Sequence, residues 1–381
     1  MTLISSKLPN TDTSIFAVMT QLAQQHNAIN LAQGFPSFNP PAELVELVHK
    51  YMKDGWNQYA PMPGLLPLRQ KIAQKTEKLY GYAPNPDTEI TVTSGATEAL
   101  FAAITAVVHP GDEVIIFEPA YDSYAPAVIL AGGTPVYIPL QAPTFHIDWN
   151  EVKKKVSLKT KLIIFNNPHN PTGAVYGAED LQEMILLMQH TQAYLISDEV
   201  YEHIVFDERV HQSVLSVPEL RERAFVISSF GKTYHNTGWK VGYCIAPPAL
   251  TAELRKMHQF MVFSTSTPFQ LAIADFMDNA THYLELPNFY QQKRDFFCDL
   301  LSQTKFTFLP AAGTYFQVAD YSEITDENDR DFAARLTRET GVATIPVSAF
   351  NHDGRDEKLL RFCFAKDEEL LRQAVEKLSR L

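Results

Sequence analysis

The chain has 381 residues, 45% hydrophobic and 20% charged, with a formal net charge of −12, a balance that fits a folded two-domain protein with sizeable cores. Its longest run of like charge, Lys153-Lys154-Lys155, reads as an exposed helix edge, so no nucleic-acid partner is expected. Met1 to Asn10 lacks a basic start leading into an apolar stretch and no long apolar run follows anywhere; neither a signal peptide nor a membrane span is supported, and a cytoplasmic location is expected.

Cys244, Cys298 and Cys363 are widely spaced and odd in number, which suits small buried hydrophobes in a reducing compartment better than a disulfide frame. The histidines form no His-x-x-x-His pair and have no cysteine partner at ligand spacing, so no metal is expected.

From Ser14 to about Gln25, Ile15, Val18, Met19, Leu22 and Ala23 recur on one face and predict a first helix. Ile29-Asn-Leu-Ala-Gln-Gly34-Phe-Pro36 breaks it with a short extended piece and a turn. Helices resume from Pro41 to about Lys53 and from Leu65 to Tyr80, and between them Asn57-Gln-Tyr59-Ala-Pro61 is a loop carrying an aromatic. From Glu89 to about Ala246, short β-branched runs alternate with helical stretches: Ile90-Thr-Val-Thr, Val114-Ile-Ile-Phe, Pro135-Val-Tyr-Ile, Leu162-Ile-Ile-Phe, Tyr194-Leu-Ile-Ser, Phe225-Val-Ile-Ser and Val241-Gly-Tyr-Cys-Ile. This alternation predicts an α/β fold whose seven-stranded, mainly parallel sheet is covered by helices, with ligands gathered beyond the carboxyl ends of the strands. After Ala246, long helices from Pro268 to Asn279 and Ala280 to Gln303, then strands around Thr314 to Val318 and Leu359 to Phe364, predict a second, smaller α+β domain.

The residues that follow each strand carry the chemistry. Ser94-Gly95-Ala96-Thr97 opens a helix, whose free N–H groups and positive dipole end make an anion cradle; ordinary N-capping explains the same residues equally well. Ser229 and Lys240 would converge on such an anion, and phosphate suits them. Tyr121 stands after the Val114 run and either joins the core or stacks on a planar ligand. Asn166-Asn-Pro-His-Asn170 is a dense turn whose amide can donate to a ligand oxygen. Asp198 ends an apolar strand and needs a cation or donor as partner. Arg361, inside Leu359-Leu-Arg-Phe-Cys-Phe364, calls for a carboxylate to grip with both arms of its guanidinium.

Lys232, in Ser228-Ser-Phe-Gly-Lys-Thr233, sits on a turn at a strand end among small and apolar residues. There a lysine loses part of its preference for the charged form, and a neutral amine attacks carbonyl carbon. A P-loop would need glycine where Val226 stands, and a solvated surface lysine is the plain alternative. Together these positions describe one ligand: a flat ring with a phosphate, a ring nitrogen beside Asp198, a phenolic oxygen near Tyr201 and Asn170, and an aldehyde for Lys232. Pyridoxal 5'-phosphate has those parts.

Over nearly its whole length the chain resembles the class I pyridoxal-phosphate aminotransferases of fold type I, within them the methionine and kynurenine/glutamine-K branch. The resemblance is carried by Asn30-Leu-Ala-Gln-Gly-Phe-Pro36, Asn57-Gln-Tyr-Ala-Pro61, Ser94-Gly-Ala-Thr-Glu-Ala99, Ser197-Asp-Glu-Val-Tyr-Glu202, Ser229-Phe-Gly-Lys-Thr233, Thr237-Gly-Trp-Lys-Val-Gly242 and Arg361-Phe-Cys-Phe364. It implies that Lys232 holds the cofactor covalently, that Asp198 pairs with its ring nitrogen, and that Tyr201 and Asn170 meet its phenolic oxygen. It implies that Tyr121 stacks on the ring and that Gly95, Ala96, Thr97, Ser229 and Lys240 hold the phosphate, with Tyr59 reaching it from the partner subunit of a homodimer. Arg361, assisted by Asn170 and the Gly34 backbone, would clamp the substrate carboxylate. A large domain of residues 35–275 and a discontinuous small domain of 1–34 and 276–381 are implied too. Two departures stand out: lysine occupies position 240 where many relatives have arginine, and Phe16 stands where the kynurenine enzymes carry tryptophan.

The expected reaction is ping-pong transfer of an α-amino group to a 2-oxo acid. No second arginine is evident near Phe16, Tyr59 or Tyr121, and those aromatics favour apolar, aromatic or sulfur-bearing donors, methionine foremost, with phenylalanine, tyrosine, histidine and kynurenine open. A carbon–sulfur β-lyase of the same fold is the nearest rival, and a non-catalytic pyridoxal-phosphate-binding regulator the rival of another class, although no DNA-binding segment is appended.

Overall fold

The structure, a computed structural model, describes residues 4–9, 11 and 13–381. Met1, Thr2, Leu3 and Asn10, part of the segment searched for a leader, lie outside the described residues. In chain order the strands are β1 (Ile29–Asn30), β2 (Ile90–Thr93), β3 (Glu113–Glu118), β4 (Thr134–Pro139), β5 (Thr160–Asn166), β6 (Tyr194–Asp198), β7 (Ala224–Ser229), β8 (Gly242–Ile245), β9 (Phe316–Asp320), β10 (Val342–Ala343), β11 (Ile345–Pro346) and β12 (Leu359–Cys363).

The predicted seven runs form one sheet in the order β2-β8-β7-β6-β5-β3-β4. Every residue of β2, β7 and β8 is buried, because helices cover both faces, and this is why the runs are continuous rather than alternating. Only β8 runs antiparallel, between β2 and β7. Its amino end therefore lies at the sheet edge where the parallel strands have their carboxyl ends, so Lys240, which precedes β8, reaches the same edge as Asp198, which ends β6.

The first helix spans Ile15–Gln25, with the Ser14 side chain accepting from the Ala17 N–H at its start. Met19 and Ala23 are buried, but Val18, expected on the inner face, is 44% exposed. It borders an open cleft shared with Tyr121 and Phe350. The stretch Ala280 to Gln303 is two helices, Thr281–Leu284 and Leu286–Leu301, because Pro287 falls in the first turn of the second, where its missing N–H leaves no bond unmade. The helix predicted from Pro268 to Asn279 spans Thr267–Phe276, and a further helix, Pro248–Met261, precedes it.

β1 pairs parallel with β10, Ile29 opposite Val342, which ties the amino-terminal segment to the carboxyl-terminal third. There β11-β12-β9 form an antiparallel sheet, and every residue of β12 is buried. Among the described residues no helix is long and apolar enough to cross a membrane.

Phe362 on β12 is fully buried and meets Phe297 and Phe306 at ring distances of 5.9 and 5.4 Å. Phe362→Ala should lower unfolding free energy by about 3–5 kcal/mol in urea denaturation, the usual cost of an aromatic-sized void.

Candidate active site

A cavity of about 150 Å³ at that sheet edge is lined by Gly95, Ala96, Thr97, Tyr121, Asn170, Asp198, Tyr201, Ser229, Lys232 and Lys240. Gly95, Asn170 and Ser229 come from the ends of different strands, so the sheet order alone brings distant parts of the chain together.

Asp198 is buried, and it finds donors within the chain: Tyr124 OH donates to Oδ2 at 2.6 Å, and the Val200 N–H to Oδ1 at 3.3 Å. Burial nevertheless outweighs these bonds and raises its pKa to about 6. Tyr124, three residues after Tyr121 and meeting it edge to face at 5.6 Å, was not singled out from the sequence, where it reads as one more core aromatic. Asn166 fixes the neighbouring turn, its Nδ2 donating to the Asp198 carbonyl at 2.8 Å and its Oδ1 accepting from the Asn170 N–H at 2.7 Å.

The turn expected after β7 is a single helical turn, Phe230–Thr233, and this aims the Lys232 side chain across the cavity. Nζ donates to Tyr315 OH at 2.7 Å and to the Gly34 carbonyl at 3.2 Å, while Tyr315 OH donates to the same carbonyl at 2.6 Å. Burial, reinforced by the charges of Arg361 and Lys240, brings the Lys232 amine down to about 8. Its Nζ also lies 5.5 Å from the centre of the Tyr201 ring, which meets Tyr315 edge to face at 5.2 Å. Tyr315 has no sequence signal beyond its place in a short apolar run. Gly34 was expected to assist a carboxylate through its backbone; here its carbonyl is an acceptor for the lysine.

The helix Gly95–Val107 begins at the cavity. Ser94 makes no side-chain cap bond there, so the first turn is not explained by N-capping and its N–H end faces the cavity. Lys240, in a left-handed conformation at φ 55°, lays its Cε and Nζ within 3.2 and 3.3 Å of where a Gly95 Cβ would stand. A dipole end and an ammonium thus meet at one place, the arrangement an anion needs.

Arg361 is 1% exposed at the middle of β12. Nη1 donates to Asn170 Oδ1 at 2.9 Å and Nη2 to the Ala32 carbonyl at 3.1 Å, and Nε has no partner. Among the described residues no carboxylate hydrogen-bonds this guanidinium, so its bidentate grip is open to an incoming anion. Burial brings its pKa down to about 10, still charged at neutral pH. The group lies 3.9 Å from the Phe316 ring centre and 5.3 and 5.1 Å from those of Phe16 and Phe350. Phe16 therefore belongs to the surroundings of Arg361, and the cleft beside it is lined by Ile15, Val18, Met19, Tyr121 and Asp122. Arg330 and Arg338 line that cleft as well, brought there by tertiary packing across a separation in sequence that hides them from a reading of local motifs.

Tyr59 is the one expected site residue set apart: it is 85% exposed, against Phe263 at 5.4 Å, and lines a different hollow.

The sequence profile of "Aminotransferase class I and II" matches residues 26–378. The chain is 52% identical to methionine aminotransferase of Escherichia coli, over 99% of this chain and 98% of that protein. It is 36% identical to kynurenine–oxoglutarate transaminase of Dictyostelium discoideum, over 97% and 94%. A crystal structure from Escherichia coli, reported as identifying a methionine aminotransferase function, superposes with TM-score 0.98 at 52% identity over the whole of both chains.

A carboxylate whose pKa is higher folded than unfolded holds its proton more tightly in the native state, so it subtracts stability as pH rises from about 4 through about 6. In the cofactor-free protein, Asp198→Asn should remove that loss, gaining about 2–3 kcal/mol over wild type between pH 4 and 7. Urea midpoints that stay parallel for the two proteins across this range would contradict the burial of this group.

Proposed function

The chain belongs to the class I and II aminotransferases and works with pyridoxal phosphate, and from that premise we propose that it moves the amino group of methionine, and of related apolar or aromatic amino acids, onto a 2-oxo acid. The observation that carries the assignment of roles is a lysine lowered to about 8 and an aspartate raised to about 6 in one cavity, beside an arginine whose Nε is buried without a partner.

The residues fit the cofactor. Gly95, Ala96 and Thr97 at the uncapped first turn, with Ser229 and Lys240, would hold its phosphate; Tyr121 would stack on its ring, Asp198 would pair with the ring nitrogen, and Tyr201 and Asn170 would hydrogen-bond the phenolic oxygen. When bound, pyridoxal phosphate supplies an aldehyde that condenses with amines and a ring that withdraws electrons from the substrate's α-carbon.

The chain does the rest. Lys232 Nζ is the amine that would hold the cofactor and would take the α-proton from a bound donor, a task suited to an amine near 8 because a minority of it is already neutral at physiological pH. Tyr315 OH and the Gly34 carbonyl keep that nitrogen in place. Asp198 offers a carboxylate to the ring nitrogen, and burial makes the pair strong because water does not compete. Arg361 takes the substrate carboxylate through Nε and an Nη, with Asn170 holding its other edge.

Support for an apolar donor comes from Ile15, Val18, Met19 and Phe350 along the cleft, while Arg330 and Arg338 at the same cleft are balanced in part by Asp122. A homodimer is proposed because Tyr59, Phe260 and Trp56 are 85, 85 and 50% exposed, a large apolar area for an isolated chain; a second copy would cover them and bring its Tyr59 to the phosphate. We also propose residues 35–275 as the large domain and 1–34 with 276–381 as the small one, supported by the pairing of β1 with β10. Three buried free cysteines are consistent with a reducing, cytoplasmic setting.

Lys232→Ala should abolish both the cofactor's visible absorbance and turnover. Arg361→Ala should lower kcat/KM for methionine roughly 30- to 150-fold, mainly through KM, the worth of a charged hydrogen-bond pair. In a panel of amino acids added to the yellow protein, methionine should bleach the band fastest; bleaching by aspartate with none by methionine would overturn the substrate assignment.

A further inference from the structure

Behind the Asp198–Glu202 segment, on the side away from the cavity, lies a buried polar cluster that no step above uses. Its centre is the Glu202 carboxylate. Oε1 accepts from Lys75 Nζ at 2.6 Å, Ser228 Oγ at 2.5 Å and Tyr243 OH at 3.0 Å, and Oε2 accepts from Tyr80 OH at 2.5 Å. Lys75 Nζ also donates to Tyr243 OH at 2.6 Å, with His203 Nε2 at 3.4 Å. The Lys75 and Glu202 side chains are only 5% and 3% exposed.

Burial works against ionisation of Glu202, but the Lys75 ammonium and the hydrogen bonds from Lys75 and Ser228 outweigh it and hold the carboxyl well below its ordinary range. Burial lowers His203 itself to about 3, so it is neutral and Lys75 supplies the positive charge. Next to it Glu199 is satisfied separately, by His211, Ser197 and the Val214 N–H. A buried ion pair is often no more stabilising than apolar side chains of the same shape, so its presence here is weak evidence for a role in stability.

Its contacts point elsewhere. Glu202 shares a short turn with Asp198 and Tyr201, Ser228 immediately precedes Ser229 and leads to Lys232, and Tyr243 follows Lys240 by three residues. We propose that Lys75 is a positioning residue for transamination: paired with Glu202, it fixes the segments carrying Asp198 and Tyr201, Lys232, and Lys240 relative to one another behind the cofactor cavity. The inference rests on the roles assigned above to Lys232 and Asp198.

The test uses the pyridoxal-phosphate-loaded enzyme as wild type, as Lys75→Met, and as Lys75→Met with Glu202→Gln, the last leaving no buried charge unpaired and keeping an acceptor for the Ser228, Tyr243 and Tyr80 hydroxyls. In the double variant the melting temperature should stay within a few degrees of wild type, the pH midpoint of the visible band should move by about half a unit, and kcat for methionine should fall roughly tenfold with KM within about threefold, because small displacements behind a site are costly in rate. Lys75→Met alone should show the same spectral and kinetic changes and melt lower, its Glu202 being uncompensated. A double variant with wild-type midpoint and kcat would overturn the inference alone. A wild-type protein with no visible band would overturn the assignment of Lys232, and this inference with it.

Discussion

Burial at one sheet edge pushes two opposite charges toward neutrality, and the site depends on that. Asp198 and Lys232 both leave water, and each then favours its uncharged form: the acid rises, the base falls. Neither is fully paired with the other inside the chain. Asp198 is held by Tyr124 and Lys232 by Tyr315 and the Gly34 carbonyl, and both line one cavity.

The fold supplies that arrangement through strand direction. Six strands running one way deliver their following turns to one edge, and the reversed β8 brings Lys240 to the same edge from its amino end. Arg361 arrives from a separate antiparallel sheet, through Asn170 and Ala32. The first helix borders the adjoining cleft from a third direction with Ile15, Val18 and Met19, and its Phe16 lies beside the Arg361 guanidinium.

Much of this was legible in the sequence because strand runs are short, apolar and regularly spaced, and the polar residues after them are conspicuous against that background. Ten of the positions singled out that way line one cavity. What stayed hidden depends on packing at long range. Tyr315 and Tyr124 look like core aromatics until their hydroxyls are seen to meet Lys232 and Asp198. Arg330 and Arg338 enter the cleft by tertiary packing, and Val18 turns outward because a cleft, not a core, adjoins its helix. The split of Ala280 to Gln303 was marked by Pro287, a residue equally at home in the first turn of a helix and at its break.

The most direct measurement is chemical: reduction of the pyridoxal-phosphate-loaded protein with borohydride, followed by digestion and peptide mass analysis. The account predicts a single phosphopyridoxyl label, on the peptide containing Lys232 and fixed to that residue. A label on Lys240 or Lys75 instead, or one scattered over surface lysines, would contradict it.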